Sequence, residues 1–334
     1  MKRLYLGMKP AYLVAFAAGA LWIGSVGWVL FTGLQAPPIL LFVAAGSAPS
    51  AVLAAVWGRL GGPFPLRPLL VGALVGPLVA ILAHPLVAAF AVAFLLGFAD
   101  SGRHLVDAFR ADPRLTTVLG SPWVLLLLIE LATVAPITEE FAKALGAVIS
   151  RPKSRREALL FGVAAGVAFA IVENVLYATL GSLVGSPWPA ITVGRSVGAA
   201  VHPLACGLVM LGWWEWRQTG RVGALLKGYL SGIGIHALWN GSLLVVFVLE
   251  TVLSAGDSAP ARLAPLALTY AAMLGVILAA VLWLVTAGIA EDRSPVEAIS
   301  FRTARPVAIW VVLSASLMVP VALLVLAFPA FYRG

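Results

Sequence analysis

Apolar residues run along this chain in blocks of about 20 or more, separated by short stretches where Arg, Lys, Asp and Pro gather. Blocks of that length match the helix of about 20 residues needed to cross a bilayer's hydrocarbon. They predict an all-α, polytopic transmembrane bundle of about nine spans, near 11–34, 37–58, 66–97, 122–149, 156–181, 190–216, 222–250, 263–289 and 306–331. The block 66–97 is long for one crossing, and His84-Pro85 offers a place to divide it. The first block follows Lys2, Arg3 and Lys9 as a signal-peptide core would. It runs to about Leu34 with no clear A-x-A-type site behind it, so it reads as a retained span. Segment 99–120, with Asp100, Arg103, Asp107, Arg110, Asp112 and Arg114, reads as an amphipathic helix or ordered loop on the outer face. The pattern divides the chain into N-terminal spans with an outer loop (1–121), a four-helix core (122–250) and two C-terminal spans (251–334).

Composition agrees. The 334 residues are 61% hydrophobic and 11% charged, with a mean hydropathy of +1.02. A water-soluble domain would have too few polar groups to cover its surface. The net charge of +8 is therefore no sign of nucleic acid; it sits mostly in short loops and orients the chain. With a cytoplasmic N-terminus and one crossing at 66–97, 14 of the 22 Lys and Arg lie inside, and six, Arg195 among them, lie outside. Two crossings there would put the Arg151–Arg156 cluster outside, against the positive-inside rule. Trp213, Trp214 and Trp216 beside Arg217 read as an interfacial aromatic belt. Cys206 is alone, which excludes an internal disulfide. The excess of Arg over Lys, with abundant Ala, Gly and Val, suggests a GC-rich bacterial genome, and so a bacterial plasma membrane.

The informative residues are the ionisable ones inside the spans, each of which costs about 2.5–3.5 kcal/mol to insert. Apart from His84, they cluster in four spans: Glu130, Glu139, Glu140 and Lys143; Glu173 with Asn174; His202; and His236 with Asn240. Counted from the nearest cytoplasmic Arg, Glu139 lies 12 residues in, Glu173 17, and His202 and His236 15 each. At the helical rise these are depths of roughly 18 to 25 Å. Pro136 is expected to break the fourth helix, and the spread falls within the tilt of real helices. One shared polar layer follows. Gly162 and Gly166, Gly194 and Gly198, and Gly228 and Gly232 form small-residue ladders leading to Glu173, His202 and His236, and predict close helix packing.

Glu139-Glu140-x-x-Lys143, Phe169-x-x-x-Glu173-Asn174 with Tyr177, a lone His202, and His236-x-x-x-Asn240 together resemble the PrsW family of intramembrane proteases. The wider group of type II CAAX-prenyl endopeptidases and bacterial CPBP proteins looks related, with Glu173 standing where that group has His. The likeness spans about 136–241. It implies an intramembrane endopeptidase in which Glu139, first of the pair, is the catalytic base. It also implies substrates among membrane proteins or membrane-anchored peptides, anti-sigma-type regulators included.

The residues admit that chemistry. Glu139 and Lys143, at i and i+4, are expected to pair, with Glu140 orienting or bonding a neighbouring helix. His236 and Asn240 share a face and would donate to a developing oxyanion. A metal is left open: His202, His236 and Glu173 would supply a His2Glu shell, with zinc favoured by the ligand types. Tyr177 either hydrogen-bonds Glu173 or merely sits at the interface. Plainer roles are expected for Glu130 (rim), His84 (beside the helix break), Cys206 (buried hydrophobe), Lys227 (snorkelling) and the Arg151–Arg156 cluster (orientation). The main rival is a proton- or ion-coupled transporter; a lipid-modifying or lipid-binding membrane protein is a third reading.

Overall fold

The computed structural model of the chain describes residues 10–32, 38–97, 129–184, 188–254 and 260–290. Among them the regular elements are all helical: α1 (Pro10–Phe31), α2 (Pro38–Leu60), α3 (Leu66–Gly97), a π-helical turn at Glu130–Val134 running into α4 (Ala135–Ile149), α5 (Arg155–Val184), α6 (Trp188–Val197), α7 (Val201–Thr219), α8 (Val222–Ser254) and α9 (Pro260–Ala290). Among the described residues, six stretches are long and apolar enough to cross a bilayer: Pro10–Val29, Leu40–Leu60, Leu66–Ala89, Arg155–Thr179, Thr192–Thr219 and Thr269–Ala290. The expected segment 99–120, the start of span 122–149 and the span 306–331 lie outside the described residues.

The outer faces are lipid-like. α3 exposes Leu70, Leu74, Leu78, Ile81, Leu82 and Leu86, and α9 exposes Met273, Val276, Ile277 and Leu284. Apolar stripes of that length at helical spacing are stable only against hydrocarbon or another apolar surface. The core lies around α5, which packs against α2, α3, α4, α6 and α7, while α7 also packs against α4 and α8.

Three local features bear on the sequence reading, the first in agreement with it and the other two not. α3 runs unbroken through Pro77 and Pro85, so 66–97 is one helix, in keeping with one crossing. Pro136 does not break its helix. A π-turn precedes it, in which Ala135 N–H bonds Glu130 O, and Pro136 sits in the first turn of α4. Proline is tolerated there because the carbonyl its missing N–H leaves unserved, Leu131 O, takes a donor from another helix. Third, the expected span 190–216 is two helices, α6 and α7, joined by a turn at 198–200. Gly198 lies in that turn against the indole of Trp239, with no room for a Cβ.

Two of the three small-residue ladders do bring helices together, while the one expected at Gly194 and Gly198 ends in the turn at 198–200. A Cβ on Gly162 would lie 2.6 Å from Cys206 O, and one on Gly166 would strike the His202 carbonyl and sit 2.9 Å from Pro203 Cα. One on Gly228 would lie 2.8 Å from Gly212 Cα. α5 and α8 thus close on the two sides of α7 through backbone contact, which places His202 between them. Gly166→Ala is expected to destabilise the protein by about 1–3 kcal/mol, since backbone must yield to the added methyl. A lower melting temperature of the detergent-solubilised variant would show it. Gly19→Ala, where a Cβ meets nothing within 4 Å, is the control and should melt as the wild type does.

Candidate functional site

The polar residues of α4, α5, α7 and α8 meet in one connected cluster, joined by Arg195 of α6. Lys143 is fully buried. Its Nζ donates to Glu140 Oε1 at 2.6 Å and to His202 Nδ1 at 2.8 Å, and lies 3.7 Å from Glu139 Oε2. Its nearer carboxylate is therefore Glu140 at i−3, and the expected i,i+4 pairing with Glu139 is only the looser contact. The ammonium also lies 4.7 Å from the centre of the Phe169 ring, a cation–π distance.

Donor and acceptor rules assign both imidazoles. An ammonium can only donate, so His202 Nδ1 accepts from Lys143 and its proton sits on Nε2, which faces Glu173 Oε2 at 2.9 Å. His236 has the opposite tautomer. Its Nδ1–H donates to Glu140 Oε1 at 3.0 Å, leaving an Nε2 lone pair that accepts from Asn240 Nδ2 at 3.2 Å. The two rings meet edge to face with centroids 4.6 Å apart.

Asn240 is explained by the π-turn. Ala135 N–H has gone to Glu130 O and Pro136 has no N–H, so Leu131 O lacks both of its nearby backbone donors. Asn240 Nδ2 donates to it at 2.9 Å. The same amide nitrogen thus ties α8 to the π-turn and steadies His236. Tyr229 of α8 adds a second tie, its hydroxyl donating to Ile137 O at 2.7 Å.

On the other side, Glu173 Oε2 lies 2.6 Å from Arg195 Nη2. Arg195 Nε donates to Asn174 Oδ1 at 3.0 Å, Asn174 Nδ2 donates to Ala45 O at 3.0 Å, and the guanidinium stacks over the Tyr177 ring at 4.2 Å. Tyr177 thus presents its face to an arginine. Arg195, assigned to the outer face by loop counting, is in fact part of the buried cluster. Its only sequence signal was a position seven residues before His202, two helical turns along if the helix had continued.

Charge balance singles out one residue. Three carboxylates, the buried Glu139 and Glu140 and the half-buried Glu173, face two cations; Lys143 is taken by Glu140 and Arg195 by Glu173, each at 2.6 Å. Glu139 is the one left over. Its Oε2 is buried without a hydrogen-bond partner and lies 3.7 Å from the lone pair of His236 Nε2. Buried charge of this kind calls for a compensating positive group. Glu139 Oε1 also lies 4.0 Å from His84 Nε2 of α3, and His84 Nδ1 contacts Glu130 Oε1 at 3.0 Å. Glu130 and His84, each 27% exposed, thus form a pair at the edge of the site.

Glu139, His202 and His236 place one ligand-type atom each within 4.8 Å of one another. A carboxylate and two imidazoles are the donors of a catalytic zinc site, and Glu139 Oε2 with the His236 Nε2 lone pair fits such an ion once the Asn240 amide releases that lone pair. His202 would have to exchange its contact with Lys143 or Glu173 to join them. The grouping holds Glu139 where the sequence reading had Glu173, because Arg195 claims Glu173. Cys206 is buried and apolar in its setting, and Lys227 is exposed, as expected.

A family model described as PrsW family intramembrane metalloprotease matches residues 65–255, more than half of the chain and all of the cluster. No curated protein and no solved structure gives a match.

Proposed function

Since the chain belongs to the PrsW family of intramembrane metalloproteases, we propose that it hydrolyses a peptide bond in or beside the membrane segment of another membrane protein, with Glu139 at the centre of the reaction. The observation that carries this is the leftover carboxylate. Glu140 and Glu173 each hold a cation at 2.6 Å, whereas Glu139 Oε2 has only Lys143 at 3.7 Å and faces His236 Nε2 at the same distance. A water held between these two atoms gives up its proton to Glu139 as its oxygen attacks the scissile carbonyl. Glu139 then returns the proton to the leaving amine.

The neighbours hold this arrangement. Glu140 fixes His236 in the tautomer that leaves Nε2 unprotonated, and Lys143 holds Glu140 and His202 together. Asn240 keeps His236 in register with the π-turn. This replaces the oxyanion role expected for His236 and Asn240, since His236 Nε2 accepts and the Asn240 amide already has two acceptors. A divalent ion, zinc by the donor types, would be held by Glu139, His202 and His236; when bound it would polarise the carbonyl and lower the cost of forming hydroxide from water. Candidate substrates are single-span membrane proteins, anti-sigma-type regulators among them.

Reconstituted protein should cut a membrane-anchored peptide, and absence of cutting of any such peptide would defeat the reading. Metal analysis of the purified protein is expected to find about one zinc per chain, lost in Glu139→Ala and His236→Ala and kept in His84→Ala. Wild-type cutting after exhaustive chelation would leave Glu139 with the proton-accepting role alone.

A further inference from the structure

We propose that Arg195 is a positioning residue of this site, fixing Glu173 against His202 so that the imidazole keeps its place beside Glu139 and His236. The inference rests on the protease reading above. Arg195 lies on α6, ten residues long, and its contacts account for three residues of one motif. Glu173, Asn174 and Tyr177 of α5 all meet the same guanidinium: Glu173 by charge at 2.6 Å, Asn174 by a hydrogen bond at 3.0 Å and Tyr177 by its ring face at 4.2 Å. The Glu-Asn-x-x-Tyr run is thus a cradle for one arginine.

The cradle is anchored on both sides. Asn174 donates to Ala45 O of α2, and Ser196, next to Arg195, accepts from the Trp22 indole of α1 at 2.9 Å. A planar fork with several donors can serve a carboxylate, an amide oxygen and an aromatic face at once; a lysine ammonium is a point charge on a flexible stem and cannot. The functional link is Glu173. The same Oε2 that meets Arg195 also faces His202 Nε2 at 2.9 Å, and His202 bonds Lys143 on its other side. Without Arg195, Glu173 keeps its charge and has only His202 to approach. That would draw the imidazole from Lys143 and disturb the spacing around Glu139.

The test is a double-mutant cycle on peptide cleavage in liposomes, using Arg195→Gln, Glu173→Gln and the pair. Arg195→Gln is expected to lower kcat by about 100-fold, the usual penalty for a misplacement of about an ångström, with KM changed by less than about twofold. The double variant should be no slower than Arg195→Gln by itself, because both changes act through one contact. Arg195→Lys should recover only part of the loss. Tyr177→Leu should lose more activity than Tyr177→Phe, since the ring face does the holding. If Arg195→Gln yields no folded protein, Arg195→Lys carries the test by the same kcat-against-KM split. Losses that multiply in the pair, or a raised KM with unchanged kcat, would overturn the positioning role while leaving the protease intact. A wild type that cuts no peptide would overturn both.

Discussion

Glu139→Gln is expected to lower cleavage of a membrane-anchored peptide by roughly 10³-fold, within the range for loss of a positioned general base, while the protein remains folded. The isosteric amide keeps the shape of a side chain whose residue is 6% exposed but can neither accept a proton nor act as an anionic ligand. The charge balance adds a second expectation. Glu139 is the carboxylate without a cation of its own, so neutralising it removes an uncompensated buried charge. Its melting temperature should therefore equal or exceed that of the wild type. Lost activity with undiminished stability is a signature that structural glue does not produce. Full cutting by the folded variant would end the assignment. Glu140→Gln is the contrast, because it removes the negative charge that Lys143 and His236 Nδ1–H share and should lose stability together with activity.

The largest effect on stability is expected from Lys143→Met. The ammonium is fully buried and bridges Glu140 and His202 across two helices. Removing it leaves the Glu140 carboxylate buried with only a neutral imidazole donor, a loss of about 3–5 kcal/mol for breaking one side of a buried pair. Methionine keeps most of the length and volume, so the loss reports charge rather than a cavity. Adding Glu140→Gln should restore most of the stability, since the pair is then removed as a unit, but not the cleavage, since His236 loses the carboxylate that sets its tautomer. Melting of the two variants in detergent checks the first statement and peptide cleavage the second. A Lys143→Met protein as stable as the wild type would show that the buried bridge contributes nothing.

Much of the site was readable from residue type and spacing. Glu139, Glu173, His202 and His236 were expected in one layer because four helices carried them at similar distances from cytoplasmic arginines, and they do meet. Helix contacts at Gly162, Gly166 and Gly228 followed from four-residue spacing of small side chains. The misses have a common source. Pro136 reads as a break only if the preceding turn is α-helical, and the wider π-turn, completed by Asn240 from another helix, removed the conflict. Arg195 reads as an outer-face charge under charge counting, which cannot register a carboxylate waiting on α5.

The sequence by itself therefore determined an all-helical chain with several helices of membrane-spanning length and the set of polar residues that meet, because hydrophobic length and helical period are properties of each segment taken singly. Only the tertiary structure decided which cation takes which carboxylate, how each imidazole is protonated, and that Glu139 is the one left over. Those choices turn on differences of an ångström or so between side chains on separate helices, and in a low-dielectric interior such differences are large in energy. No local pattern along the chain carries them.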